Sequence, residues 1–319
     1  MELIRGLHNL RARHRGCVAT IGAFDGVHLG HRAVIRHLLD KSAALGLPSL
    51  IMVFEPLPRE YFAPLQAPAR IMSFREKCQA LQALGVDRLL RIRFDEALRS
   101  MSAQRFVDEV FVAGLGVRYV VLGDDFRFGS DREGDFRFIR EQGKRHGYAA
   151  EPTPTETVDG ERVSSTRIRE ALESADFDTA QRLLGRPYSI SGKVVYGRQL
   201  GRVIGTPTAN LQLHRLRAPL AGVYVVQVSG GGLENARGVA NVGVRPTVDD
   251  SIRANLEVHL LDRQIELYGQ HIDVRFCHKL RDEVKFDSVQ ELRENIARDI
   301  DDTRAWFERQ SRHSHTELD

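Results

Sequence analysis

At 319 residues, with 42% hydrophobic and 28% charged content, the chain is long enough for about two packed domains. Forty-six basic against 43 acidic residues leave a formal net charge of +3, too even a balance for nucleic acid as the main partner, which needs a clustered excess of cation. Cys17, Cys78 and Cys277 stand far apart with no Cys-x-x-Cys spacing, which argues against a disulfide framework or zinc knuckle and for a reducing cytoplasm.

The chain opens Met1-Glu2-Leu3-Ile4-Arg5, with no apolar core of signal-peptide length. No stretch approaches the roughly 18 apolar residues of a membrane span, so no membrane partner is expected. Cys17 to Ile21 reads as a buried strand. Gly22-Ala23-Phe24-Asp25-Gly26-Val27-His28-Leu29-Gly30-His31 follows and leads into Val34, Ile35, Leu38, Leu39 and Ala43, an apolar stripe on one helix face. A glycine-broken strand-to-helix turn leaves free N–H groups at a helix N-terminus, which suits an anion. Two histidines three apart on the first helical turn point the same way and can each donate to a phosphate oxygen. One histidine alone would be an ordinary surface residue; the pair, the Gly-Xaa-Phe-Asp-Gly turn and its flanking elements favour a site.

A second apolar run, Ser49 to Phe54, is stopped by Glu55-Pro56-Leu57-Pro58, and the proline-rich segment to Pro68 reads as a loop. Ser73 with Glu76 three residues on predicts a capped helix. Strands are expected over Val86 to Ile92, Val117 to Leu122 and Tyr148 to Glu151, with helices from Ser102 to Ala113 and Glu133 to His146. This β-α-β alternation means a parallel sheet with helices on both faces. Ligands of such sheets sit beyond the strand carboxyl ends, which places 22–31, 55–68 and 123–129 on one rim. Gly123-Asp124-Asp125-Phe126-Arg127-Phe128-Gly129 lies there, as a polar turn at the least. Ser164-Ser165-Thr166-Arg167-Ile168-Arg169 opens a further helix; its hydroxyls could be only a cap, but the arginines suit phosphate.

These three segments, in this order, resemble the adenylyltransferase module of bacterial bifunctional riboflavin kinase/FMN adenylyltransferases (FAD synthetases), a Rossmann-like nucleotidyltransferase domain. The resemblance implies that His28 and His31 hold the ATP phosphates with Gly22, Phe24 and Asp25 of the same turn. It implies that Arg169 with Ser164, Ser165 and Thr166 closes over the phosphates, and that Asp125, Phe126, Arg127 and Phe128 lie near the flavin.

Past Phe177 to Leu184, a short helix, Gly185-Arg186-Pro187-Tyr188 marks the boundary between a first domain over 1–186 and a second over 187–310. Strand candidates Ser189 to Val195, Gly222 to Val228, Arg237 to Val242, Ala254 to Leu261 and His271 to Leu280 predict a small closed antiparallel barrel. A last helix spans about Ser288 to Arg309, with Leu292, Ile296, Ile300 and Trp306 inward, and 311–319 is a polar tail. Within the barrel, Gly197, Gly201 and Gly205 allow close backbone approach to a ligand, and Thr206 precedes Pro207-Thr208-Ala209-Asn210. Thr208 and Asn210 offer neutral oxygens of the kind that suit Mg²⁺. On the strand Leu256 to Asp262, Glu257 shares a face with His259 and Leu261. A strand carboxylate is commonly just solvated, but one on a rigid strand can accept a hydroxyl proton in phosphoryl transfer.

The Pro-Thr-Ala-Asn segment, Asn241-Val242-Gly243-Val244-Arg245-Pro246-Thr247, Leu256 to Asp262, Leu267-Tyr268-Gly269 and Leu280-Arg281-Asp282-Glu283 resemble the riboflavin kinase module of the same family. Thr206 replaces the usual Phe. The likeness implies Gly197, Gly201, Gly205 and Thr206 at ATP, Thr208 and Asn210 at Mg²⁺, Asn241 and Arg245 at the flavin, and Glu257 as base. The implied substrates and products are ATP, riboflavin, FMN and FAD, and a homo-oligomer is compatible with all of this. A nucleotidyltransferase with another phosphorylated acceptor, or a flavin-binding regulator without turnover, would leave Glu257 or the histidines without purpose.

Overall fold

The computed structural model describes residues 1–123, 126–197, 205–246, 252–263 and 265–316. Contacts divide the chain into two compact units, one of Met1–Pro68 with Phe74–Ser165, the other of Ala69–Ser73 with Thr166–Asp319.

The first unit runs β1 (Glu2–Arg5), β2 (Val18–Ile21), α1 (Leu29–Leu45), β3 (Ser49–Glu55), α2 (Pro58–Phe62), α3 (Phe74–Ala83), β4 (Arg88–Arg93), α4 (Glu96–Arg99), α5 (Ala103–Phe106), β5 (Tyr119–Gly123), α6 (Phe136–His146), β6 (Ala149–Thr153) and a small ribbon, β7 (Thr157–Val158) with β8 (Glu161–Arg162). Six strands make one parallel sheet in the order β1-β4-β3-β2-β5-β6. The strand order reverses between β2 and β5, and at such a switch point a crevice opens at the carboxyl ends. β2 and most of β3 are buried along their length, as strands covered on both faces must be.

The structure differs from the sequence reading at four places. The edge strand β1 has one buried residue, Ile4, so it shows no apolar run to read. The proline-rich segment holds a helix, α2, because Pro58 sits in its first turn, where its missing N–H costs nothing. The helix after Ser102 continues as a π-helix over Val107–Gly114. On α1 the buried stripe is Ile35, Leu38 and Ser42, with Ala43 exposed, since Ser42 satisfies its hydroxyl on the Leu47 carbonyl.

The second unit carries α7 (Ser165–Glu173), α8 (Phe177–Leu184), β9 (Ser189–Val195), β10 (Ala209–Gln212), β11 (Gly222–Gly230), β12 (Leu233–Pro246), β13 (Ile252–Leu260), β14 (His271–Arg281) and a terminal helix, Val289–Thr316. Its strands close into an antiparallel barrel in the order β10-β13-β12-β11-β14-β9. β10 is the strand the sequence hides: four residues, Ala-Asn-Leu-Gln, with two polar side chains. One outer face, Val223, Val239 and Leu261, packs with Leu280 and with Ile300 of the terminal helix. Arg281 clamps that helix by two bonds to Asp299, at 2.8 and 2.7 Å. Among its described side chains Thr303 and Phe307 are the most buried, ahead of the half-buried Trp306.

Candidate functional site

The turn after β2 holds two non-glycine residues with left-handed backbone, Phe24 (φ 48°) and the β-branched Val27 (φ 42°). Such conformations cost on the order of 1–3 kcal/mol each and persist where the surroundings over-determine them. Both side chains are buried. Lys77 Nζ donates to the Ala23 carbonyl at 2.7 Å, and Ser165 Oγ donates to the Asp25 carbonyl at 3.0 Å. The chain enters α1 through His28, the N-cap, whose Nδ1 accepts the His31 backbone N–H at 3.3 Å. A backbone N–H only donates, so Nδ1 carries the lone pair and neutral His28 keeps its proton on Nε2.

The His28 and His31 rings stack, 3.6 Å between centroids. Burial, and then the charges of His28 and Lys77, hold the His31 pKa well below the usual imidazole value. Two imidazoles so close do not both take a proton, so the pair offers N–H donors rather than two cations.

These residues wall a cavity of about 480 Å³ at the sheet's switch point, bounded by the ends of β2, β5 and β6 and by residues 162–165. Three atoms of its lining residues, Thr20 Oγ1, His31 Nδ1 and Thr153 Oγ1, are buried without a protein partner. Native interiors rarely leave polar atoms so, and such atoms take water, an ion or a polar ligand as partner.

Of the residues singled out in the sequence, Gly22, Phe24, His28, His31, Phe126, Arg127, Ser164 and Ser165 line this cavity. Asp25 is buried behind it. Phe128 belongs to the core, stacked on Phe126 with centroids 5.6 Å apart. Asp125 lies outside the described residues. Thr166 and Arg169 fall in the second unit, where Arg169 Nε donates to the Ala69 carbonyl at 2.6 Å. Sequence reasoning passed over Thr20, Thr153, Glu156, Arg162 and Lys77. None of these carried a signal in the sequence, since their burial depends on chain from elsewhere.

In the barrel, strand register sets Asn210, Glu257 and Asn241 abreast on three neighbouring strands. Glu257 is held at both oxygens: Asn255 Nδ2 donates to Oε1 at 2.9 Å and Thr208 Oγ1 to Oε2 at 3.4 Å. Half-buried Asn255, Glu257 and His259 alternate with buried Leu256, Val258 and Leu260; His259 Nδ1 lies 2.9 Å from the Pro207 carbonyl oxygen. Leu261, expected on the Glu257 face as a strand residue, lies just past β13 in the contact with the terminal helix.

The Oδ1 atoms of Asn210 and Asn241 and Oγ1 of Thr206 are buried without partners. A cavity of about 520 Å³, whose lining includes Gly205, Pro207, Thr208, Val258, Leu260 and Tyr268, reaches this group through Thr208; Asn210, Asn241, Thr206 and Glu257 do not line it. Neutral oxygens beside a carboxylate fit a hard cation such as Mg²⁺. Gly197 is needed here, since a Cβ would lie 2.5–2.8 Å from the Asn210 amide atoms. No cluster of three or more His, Cys, Asp or Glu able to hold a metal occurs among the described residues. Gly201 lies outside the described residues, and Arg245 is placed by register alone, opposite Arg253.

Two family models match the chain, FAD synthetase over residues 10–167 and riboflavin kinase over residues 184–307. A bifunctional riboflavin kinase/FMN adenylyltransferase of Pseudomonas fluorescens is 52% identical, covering 96% of this chain and 97% of its own length. The Escherichia coli K12 enzyme of the same description is 48% identical, covering 96% and 98%. A crystal structure from Streptococcus pneumoniae, described as a macrolide-efflux protein, is 30% identical with a TM-score of 0.74 and covers 96% of this chain and 100% of its own. Among the described residues no helix is long and apolar enough to cross a membrane.

Proposed function

The chain belongs to the family of bifunctional riboflavin kinase/FMN adenylyltransferases, and from that premise we propose which of its residues carry each reaction. The enzyme phosphorylates riboflavin with ATP to FMN, then adenylylates FMN with a second ATP to FAD and pyrophosphate. In our reading residues 1–186 carry the adenylyl transfer and residues 187–310 the kinase, in a cytoplasmic enzyme that needs neither nucleic acid nor membrane.

In the kinase, Glu257 takes the proton of the ribityl 5′-hydroxyl as that oxygen bonds to the γ-phosphorus and the bond to the β–γ bridging oxygen breaks. The bonds from Asn255 and Thr208 fix its carboxylate, and positioning is most of what phosphoryl transfer asks of a protein. A hydroxyl that donates to Glu257 keeps its lone pairs for a cation. Thr208 and Asn210 would therefore hold Mg²⁺, which neutralises phosphate charge when bound. Asn241 and Arg245 would orient the flavin, and Gly197, Gly201, Gly205 and Thr206 would border the nucleotide.

In adenylyl transfer the FMN phosphate is already an anionic nucleophile, so no general base is needed. Its oxygen bonds to the α-phosphorus of ATP and pyrophosphate leaves. His28 and His31 would donate to the phosphate oxygens as charge shifts onto the leaving group. Gly22, Phe24 and Asp25 would shape the wall, with Ser164 and Ser165 contacting phosphates and Asp125, Phe126, Arg127 and Phe128 on the flavin side.

The observation that carries this reading is the grouping of unpartnered buried polar atoms around the stacked histidines. The test is Thr153→Val assayed for both reactions. A raised KM in adenylylation with unchanged kinase turnover supports the reading, and unchanged adenylylation contradicts it.

A further inference from the structure

Lys77 lies on α3 with 1% of its surface exposed. Lysine is almost never fully buried unless paired, and helix packing alone would be served by Leu or Met without the cost of sinking an ammonium. Its Nζ donates to the carbonyl of Ala23 at 2.7 Å. Ala23 lines the 480 Å³ cavity, whereas Lys77 does not. The cation therefore acts from beneath the wall, on the turn that carries Phe24, whose ring centroid is 5.0 Å from that of His31.

We propose that Lys77 is a positioning residue of adenylyl transfer, its buried ammonium fixing the Gly22–Asp25 turn and setting a permanent positive charge behind the His28–His31 pair. The proposal rests on the assignment of that cavity to the transfer reaction. A charge already in place costs nothing to orient when the triphosphate arrives, which is where preorganised electrostatics gain over solvent. Among the described residues, the titratable groups acting on His31 are His28 across the stack and Lys77 from α3; Asp25 sits in the turn, and Arg127, Glu156 and Arg162 stand around the cavity. Lys77 favours the neutral form of His31, so removing its charge lets His31 take a proton at higher pH.

The test uses the full-length enzyme with Lys77→Gln, which can still donate to Ala23, and Lys77→Arg, which also keeps the charge. FAD formation from FMN and ATP is followed from pH 5 to 9, with riboflavin phosphorylation and thermal unfolding in parallel. For Lys77→Gln we expect kcat lower by about 10- to 100-fold with KM for FMN within about twofold. The acid limb of its pH profile should move upward, riboflavin phosphorylation should be unchanged, and Lys77→Arg should recover the wild-type limb. Wild-type kcat and pH profile in Lys77→Gln overturn the proposal. Should Lys77→Gln fail to fold, Lys77→Arg decides alone: a wild-type profile supports the role of the charge and a displaced limb overturns it. His28→Ala is the comparator. If it keeps adenylylation the site reading itself fails, whereas loss there with normal Lys77→Gln sinks only this inference.

Discussion

The backbone N–H of His31 donates to Nδ1 of His28 across one turn of α1, 3.3 Å apart. One imidazole thus closes the helix end with one nitrogen and turns the other towards the cavity. The two roles are separable. His28→Asn keeps a good N-cap and should hold the wild-type Tm, whereas His28→Ala gives up about 1 kcal/mol of stability. Both should slow FAD formation by about 100- to 1000-fold. Calorimetry with a flavin assay on the two variants checks this, and a fully active His28→Asn would contradict the donor role.

His31 makes stability depend on pH. Burial first, and then the charges of His28 and Lys77, keep its folded pKa well below the ordinary 6.5. The unfolded chain therefore binds a proton below about pH 6.5 that the folded enzyme refuses, and stability falls as pH drops through that range. His31→Gln removes this proton uptake. Its Tm should fall less than that of the wild type between pH 7.5 and 5.5, and parallel Tm curves would show that His31 takes its proton freely in the fold.

Gly197 gives the kinase half its most specific packing test, because a methyl group there would lie 2.5 Å from Asn210 Nδ2. Gly197→Ala must push the Asn210 amide aside, and a displacement of about 1 Å at a reacting site costs roughly 100-fold. Riboflavin phosphorylation should fall by that order while FMN adenylylation is unaffected. Equal kinase rates in mutant and wild type would remove Asn210 from the site.

The terminal helix is held by Arg281 and Asp299, the latter's side chain 8% exposed. Asp299→Ala leaves the guanidinium with less solvent than it needs and should cost about 1.5–3 kcal/mol, the worth of bonds to a charged group. Denaturant unfolding of the full chain measures it, and a change below about 0.5 kcal/mol would mean the pair only decorates the surface.

The doubly wound sheet was legible because β2, β3 and β5 are continuous apolar runs, which only strands buried on both faces need to be. The His28–His31 turn was legible because its residues are contiguous. β10 was not, since its four residues gain their place from pairing with β9 and β13 rather than from a pattern of their own. Thr20 read as one more β-branched strand residue, and Lys77 as one more helical lysine. What distinguishes them is burial, which depends on chain from elsewhere. The alignment of Asn210, Glu257 and Asn241 likewise rests on register between strands far apart in sequence.

One comparison reaches the centre of the account. Riboflavin, ATP and Mg²⁺ are given to His28→Ala and to Glu257→Gln, and the flavins are separated by chromatography. His28→Ala should pile up FMN with little FAD, and Glu257→Gln should leave riboflavin untouched yet convert added FMN to FAD at the wild-type rate. If either substitution silenced both steps in folded protein, the two reactions would not have separate sites.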